Sequence, residues 1–347
     1  MEQSKTGSKN SKFAYIVTAD IRYLPEVIGN LNSLHLIGNQ QDVHYFGSKI
    51  PDDVVEQFDK LCYRLIYHPV SDEEIKAAHG NSEVMCRKRY WYAAEYGQDY
   101  EAVCILDADM LWSHLPDVFF EIAAKTGLIV GASKEQNKVY NEPNHEYDVE
   151  GVRGWNWQLP HGYYNDADLC NCPTFIDARL YEDALRKQWE IFLEGYPFKD
   201  EIPDTHFRAP DMDAMNLCFL EAVWPDTERI LPLPGLMFLG TNEQHFKPYI
   251  NATMRENGLW TKNGIKIYSV HGHFHHRQWC GIQLSNREGC IEGQLDGSPS
   301  AYRQAEGSLA DLCRYAQHCL WEGPIRIEER NYRHPDKPVE DTYIWEI

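Results

Sequence analysis

Residues Ala102–Leu106 form an unbroken apolar pentapeptide, AVCIL, followed at once by Asp107-Ala108-Asp109. A short strand with no polar side must be covered on both faces, which is the situation of an interior strand in a parallel sheet. The surrounding sequence supplies the rest of such a sheet. Residues 13–18 read as a β-branched and aromatic strand and 25–36 as a helix with apolar residues at helical spacing. Residues 43–46, 52–62 and 64–67 then read as strand, helix and strand, the last ending before Pro69. A further helix is expected over 82–96, ahead of the AVCIL strand. Beyond it, 174–176 and 265–271 read as strands, and 181–194, 213–222 and 300–321 as helices. The fold class expected is α/β: a Rossmann-like mixed open sheet flanked by helices, with one domain over 13–285 and a C-terminal helical extension over 286–347 packed on its core. In open α/β sheets ligands sit outside the carboxyl ends of the strands, which brings 18–20 and 107–109 together.

Composition narrows the function. The 347 residues carry 33 Lys and Arg against 53 Asp and Glu, a net charge of −20. Such a surface repels phosphate backbones and anionic membranes, so nucleic-acid and membrane-surface partners are not expected. No apolar run is long enough to span a bilayer and the N-terminal residues are polar, so a cytoplasmic location is expected. The ten cysteines are scattered through a chain whose size needs no staples, and they are read as reduced. Cys170 and Cys172 lack the second pair that a zinc ribbon requires, and are not read as a metal site.

Two carboxylates spaced two apart at the end of a buried strand suit a hard divalent cation, Mn2+ or Mg2+, that also holds a diphosphate. The same triplet occurs as a solvated turn or helix cap. The segment VHGHFHHRQW adds histidines that lie on one face if the strand continues, so either His271 or His273 is available as a further ligand.

These segments together resemble the metal-dependent GT-A glycosyltransferases, in particular the retaining glycosyltransferase family 8 that contains glycogenin and lipopolysaccharide galactosyltransferases. AYIVTADIRYLPEVIGNLNSL is similar to the family's first strand and helix, and CILDADMLW to its Asp-x-Asp strand. The family carries a His followed by Gly, Lys and Trp three, six and eight residues later; here His271, Arg277 and Trp279 keep that spacing while Phe274 replaces the Gly. Gln278 stands at the family's Pro position. The resemblance implies Asp107, Asp109 and His271 as metal ligands. It also implies Thr18, Ala19, Asp20, Tyr23, Arg89, Asp107, Ala108, Asn171 and Arg277 as contacts to the donor. Asp211, Asp213 and Asp168 are the implied catalytic and sugar-contacting acids, although Asp168 reads equally as a turn acid and Asp213 as a helix cap. Met212 stands where Gln is common in the family.

Three basic residues, Arg87, Lys88 and Arg89, precede the Asp-x-Asp strand, and on a helix they cannot all face one site, with spacing favouring Arg89. Lys134 is a second cationic candidate. The aromatic stretch with Trp155, Trp157, His161, Tyr163 and Tyr164 either stacks on an acceptor sugar or anchors a long loop. Trp155, Trp157 and Tyr163 are taken as the acceptor platform. The expected activity is transfer of a hexosyl group from a nucleotide-diphospho-sugar, by resemblance a UDP-sugar, to a hydroxyl of a glycan or other acceptor, with retention of configuration. A sugar-1-phosphate nucleotidyltransferase is the first alternative, but TADIRYLP lacks the Gly-rich phosphate loop that it needs. A carbohydrate-binding protein with a degenerate transferase fold is the second. A homo-oligomer is compatible with either.

Overall fold

Every residue of the first strand, β1 (Phe13–Asp20), is buried. Its side chains alternate between two cores: Phe13, Tyr15, Val17 and Ala19 enter one, Ala14 and Ile16 the other. That is the period-2 signature of a strand covered on both faces. A computed structural model of the chain describes residues 11–58, 64–133, 169–195, 210–234, 237–240, 252–255, 258–261, 264–271, 283–284, 325–329 and 341–346.

After β1 come α1 (Leu24–Leu36), β2 (Asp42–Ser48), α2 (Asp52–Phe58), β3 (Leu65–Val70), α3 (Asp72–Ala77), α4 (Ser82–Met85) and α5 (Arg89–Tyr96). They are followed by β4 (Ala102–Leu106), β5 (Met110–Trp112), α6 (Asp117–Thr126), β6 (Ile129–Ser133), β7 (Leu169–Ile176), α7 (Glu182–Gly195), α8 (Pro210–Val223) and β8 (Ile230–Leu233). Seven strands form one sheet in the order β3-β2-β1-β4-β7-β6-β8. The first four are mutually parallel, β7 runs antiparallel to both β4 and β6, and β8 is parallel to β6. The mixed open α/β sheet flanked by helices is therefore observed. Val17 pairs with Leu106, so β1 and β4 end side by side and bring 18–20 next to 107–109.

The remaining strands are β9 (Phe238–Gly240), the hairpin of β10 (Ala252–Arg255) and β11 (Gly258–Thr261), and β12 (Ser269–His271). β12 lies between β5 and β9 in a second, three-stranded sheet. In the C-terminal region β13 (Gln283–Leu284), β14 (Ile325–Glu329) and β15 (Asp341–Glu346) form an antiparallel sheet. The described part of that extension is thus strand, and the helix expected over 300–321 lies outside the described residues.

Four elements differ locally from the sequence expectation. β3 does not stop before Pro69 but runs through it to Val70. β3 is the edge strand of the sheet, where the missing N–H of a proline costs no ladder bond. The helix expected over 82–96 is broken by a 3-10 turn at Cys86–Lys88, where the Thr18 hydroxyl donates to the Cys86 carbonyl. β7 starts at Leu169 rather than 174, because Asn216 of α8 exchanges two 3.0 Å hydrogen bonds with the Leu169 backbone. β12 covers only Ser269–His271, although Tyr268 still accepts from Ser113 N–H at 2.8 Å and donates to Met237 O at 2.8 Å just ahead of it.

Candidate active site

The turn after β4 is held from below by α1. Asn30, buried on the core side of that helix, donates its amide to the carbonyls of Asp107 at 3.2 Å and Ala108 at 3.4 Å. One turn on, the buried Ser33 hydroxyl accepts the Trp112 N–H at 2.9 Å and donates to Asn30 O at 2.7 Å. Two small polar side chains at helical spacing therefore brace both ends of the 107–112 segment, satisfying backbone groups that would otherwise be buried unpaired.

Pairing then assembles the site. β12 runs antiparallel to β5 with His271 opposite Met110, which sets the imidazole beside Asp109. His271 Nε2 lies 3.3 Å from Asp107 Oδ2 and 3.3 Å from Asp109 Oδ1. Ligands of one divalent ion at bond lengths of about 2.0–2.2 Å stand roughly 3 to 3.5 Å apart, so each aspartate stands at ligand spacing from the imidazole. Burial disfavours an imidazolium, yet Cys172 and the two carboxylates raise the His271 pKa well above its ordinary value. Burial also pushes the Cys172 thiol itself up to about 12, leaving it neutral, so the aspartates carry that effect.

On the other flank Asp107 Oδ1 is ion-paired with Arg89, which is almost fully buried. Burial alone would raise the Asp107 pKa; Arg89, His271 and Arg87 overcome it and hold the carboxyl well below its usual range. Arg89 also reaches Asp211 Oδ2 at 3.5 Å, and Arg87 binds the same oxygen at 2.9 Å. Asp211 opens α8, and its carbonyl accepts from the buried Gln188 of α7 at 2.9 Å. Arg89 thus ties the Asp-x-Asp turn to the acid at the head of α8. Its guanidinium is engaged with protein carboxylates rather than projecting freely toward a donor. Arg87 and Arg89 would stand about 200° apart on an unbroken α-helix; the 3-10 turn changes that phase, and both reach Asp211. Lys88 is the one that turns away, to Glu74 at 2.9 Å.

Other implied residues take different positions. Asp20 is buried and accepts from Ser82 Oγ at 2.9 Å, and Thr18 is hydrogen-bonded to the 3-10 turn, so both face the 82–88 segment. Ala19 packs in the core, and Tyr23 sits half-buried ahead of α1. Asp213 belongs to the first turn of α8, whose start at Pro210 rules out the N-cap position for it. The side chains of Asp213 and Asn171 lie outside what is described, as do Asp168, Arg277, Trp155, Trp157, Tyr163, Lys134 and His273.

Sequence reasoning missed Asn30, Ser33 and above all Cys172. β7 runs antiparallel to β4 with Ile105 opposite Thr174, and two residues beyond that pair Cys172 meets Asp107. The thiol donates to Asp107 Oδ2 at 2.8 Å, and candidate ligand atoms of Asp107, Cys172 and His271 all lie within 4.8 Å of one another. A linear spacing search finds none of this, because the partners are 65 and 99 residues away along the chain. The described cysteines, Cys86, Cys104, Cys170, Cys172 and Cys218, form no disulfide with one another. Among the described residues no helix is long and apolar enough to cross a membrane.

No family model matches the sequence, and no curated protein matches it. Solved structures do. The galactosyltransferase LgtC in complex with donor and acceptor sugar analogues superposes with a TM-score of 0.51 at 12% identity, covering 89% of this chain and 96% of that one. An active-site mutant of LgtC gives 0.52 at 12% identity, covering 86% and 95%. The bifunctional glycosyltransferase WbbM gives 0.50 at 11% identity over 92% of this chain but 52% of its own. At such identities the likeness is one of fold. The chain has the GT-A-like mixed α/β fold of the family 8 glycosyltransferase LgtC over most of its length.

Proposed function

We propose that this chain is a metal-dependent hexosyltransferase that takes its sugar from a nucleotide-diphospho-sugar, a UDP-sugar, and passes it to an acceptor hydroxyl with retention of configuration. The observation that carries the reading is the convergence of Asp107, Asp109 and His271 at the carboxyl ends of β1 and β4, where an open α/β sheet binds its ligand. A divalent ion held by these three would neutralise charge on the departing diphosphate.

The chain's own residues supply the rest. Asp107 and Asp109 present carboxylate oxygens on the His271 side, and Asn30 and Ser33 hold the turn that aims them. Arg89 keeps Asp107 ionised and couples it to Asp211, the acid assigned to the reacting sugar. Arg277 is assigned to the diphosphate, as a planar fork replacing the family's Lys. Trp155, Trp157 and Tyr163 are assigned to the acceptor, and residues 13–285 to the catalytic unit. Retention follows the resemblance, with the leaving phosphate helping to take the acceptor proton.

Asp109→Asn removes an anionic ligand and keeps the shape. Its Mn2+-dependent donor hydrolysis is expected to fall by at least about 100-fold. Full metal-dependent turnover in that variant would remove Asp109 from the centre, and equal wild-type turnover with and without chelator would remove the metal from the mechanism.

A further inference from the structure

We propose that Cys172 is a fourth ligand of the ion held by Asp107, Asp109 and His271, and that it makes the centre prefer a thiophilic divalent transition ion such as Zn2+ to Mg2+. This rests on the metal-dependent reading above and concerns how that ion is held. Three separate elements deliver the ligands: the turn after β4 carries both aspartates, β12 carries His271, and β7 carries Cys172.

Asp107, Cys172 and His271 offer ligand atoms that all lie within 4.8 Å of one another, and Asp109 joins them through its 3.3 Å contact with His271. A tetrahedral site with bonds of about 2.0 Å to nitrogen or oxygen and about 2.3 Å to sulfur has N-to-O edges of about 3.3 Å and S-to-N edges of about 3.5 Å. Nε2 of His271 is 3.3 Å from each carboxylate oxygen and 3.7 Å from Cys172 Sγ. The edge from Sγ to Asp107 Oδ2 is shorter, 2.8 Å, and is the thiol's own hydrogen bond, which an entering ion replaces.

Charge points the same way. With His271 neutral, as a metal ligand must be, Asp107 and Asp211 are balanced by Arg87 and Arg89, and Asp109, which faces His271, leaves one negative charge. A thiolate adds a second, and a divalent cation matches both. Carboxylates alone suit Mg2+ and Mn2+, whereas an imidazole and a thiolate shift the preference to softer ions. A diphosphate oxygen would enter as a fifth ligand and expand the tetrahedral sphere.

The test loads the full chain with one equivalent of Co2+ and, separately, Zn2+. Co2+ is expected to give visible ligand-field bands and a near-ultraviolet sulfur-to-cobalt charge-transfer band. Cys172→Ser should keep the first and lose the second, while its preference for Zn2+ over Mg2+ falls by at least about 10-fold. X-ray absorption of the Zn2+-loaded wild-type protein is independent of whether any variant folds, and should show a sulfur shell at about 2.3 Å beside the N/O shell. Cobalt bound with no charge-transfer band, a band that survives Cys172→Ser, or a zinc shell of N and O alone would overturn the inference while leaving the metal centre intact. Failure to bind either ion would overturn the inference and the metal-dependent reading together.

Discussion

Arg89→Met is expected to destabilise the fold by about 3 to 5 kcal/mol, the cost of leaving buried carboxylates without their cation. The Arg89 side chain is 2% exposed and its two partners, Asp107 and Asp211, are 13% and 10% exposed. His271 and Arg87 retain part of the compensation, which favours the lower end of that range. For a chain of this size the melting temperature should drop by roughly 4 to 7 °C. Arg89→Lys keeps a charge but cannot span two carboxylates with one fork, and should recover only part of the loss. Lys88→Met is the control: its ion pair with Glu74 lies nearer solvent, and a change within about 1 kcal/mol is expected. Denaturant midpoints for the three variants decide the matter. An Arg89→Met protein as stable as Lys88→Met would mean that the two aspartates do not depend on this guanidinium.

Acid should weaken the fold through a second buried group, on β2. His44 Nδ1 is 2.9 Å from His68 Nε2, and His44 Nε2 is 2.8 Å from the Tyr100 hydroxyl. That hydroxyl donates to Asp42 Oδ2 at 3.0 Å, and Arg64 holds the other Asp42 oxygen at 2.9 Å. Because Tyr100 spends its proton on Asp42, His44 donates from Nε2, and as a neutral imidazole it accepts from His68 at Nδ1. Burial, helped by His68, lowers the His44 pKa from 6.5 to about 3. Between those values the unfolded chain binds a proton that the folded chain refuses, so stability is complete above pH 6.5 and is lost progressively as pH falls toward about 3. The total contribution is about 3 to 5 kcal/mol, with a limiting slope near 1.4 kcal/mol per pH unit. Stability measured from pH 6.5 to 4.5 should fall more steeply in the wild-type protein than in His44→Gln. A His44 imidazole that titrates near 6.5 by NMR would contradict this.

How far the sequence reveals the fold depends on whether a signal is local. AVCIL and FAYIVT announce their strands because burial on both faces leaves no polar position, and the acids after Leu106 mark where the sheet opens. β5 is three residues long and has no period to detect; only its pairing with β12 makes it a strand. Pro69 misleads because a proline signals a strand's end in general, while an edge position tolerates it. At the site, Asp107, Asp109 and His271 are visible through motif spacing. Asn30 and Cys172 are not, since an asparagine in a helix and a cysteine in a strand acquire a role only from what lies across the sheet.

The most direct test of the central claim, that Asp107, Asp109 and His271 hold an ion through which a nucleotide diphosphate binds, is calorimetric titration of UDP with and without Mn2+. The wild-type protein should bind UDP at least about 10-fold more tightly with the ion present, a difference of about 1.4 kcal/mol, and Asp109→Asn should lose that difference. UDP bound equally well with and without Mn2+ would contradict the account, and sugar bound without any nucleotide or metal would replace the transferase with a carbohydrate-binding protein on the same fold.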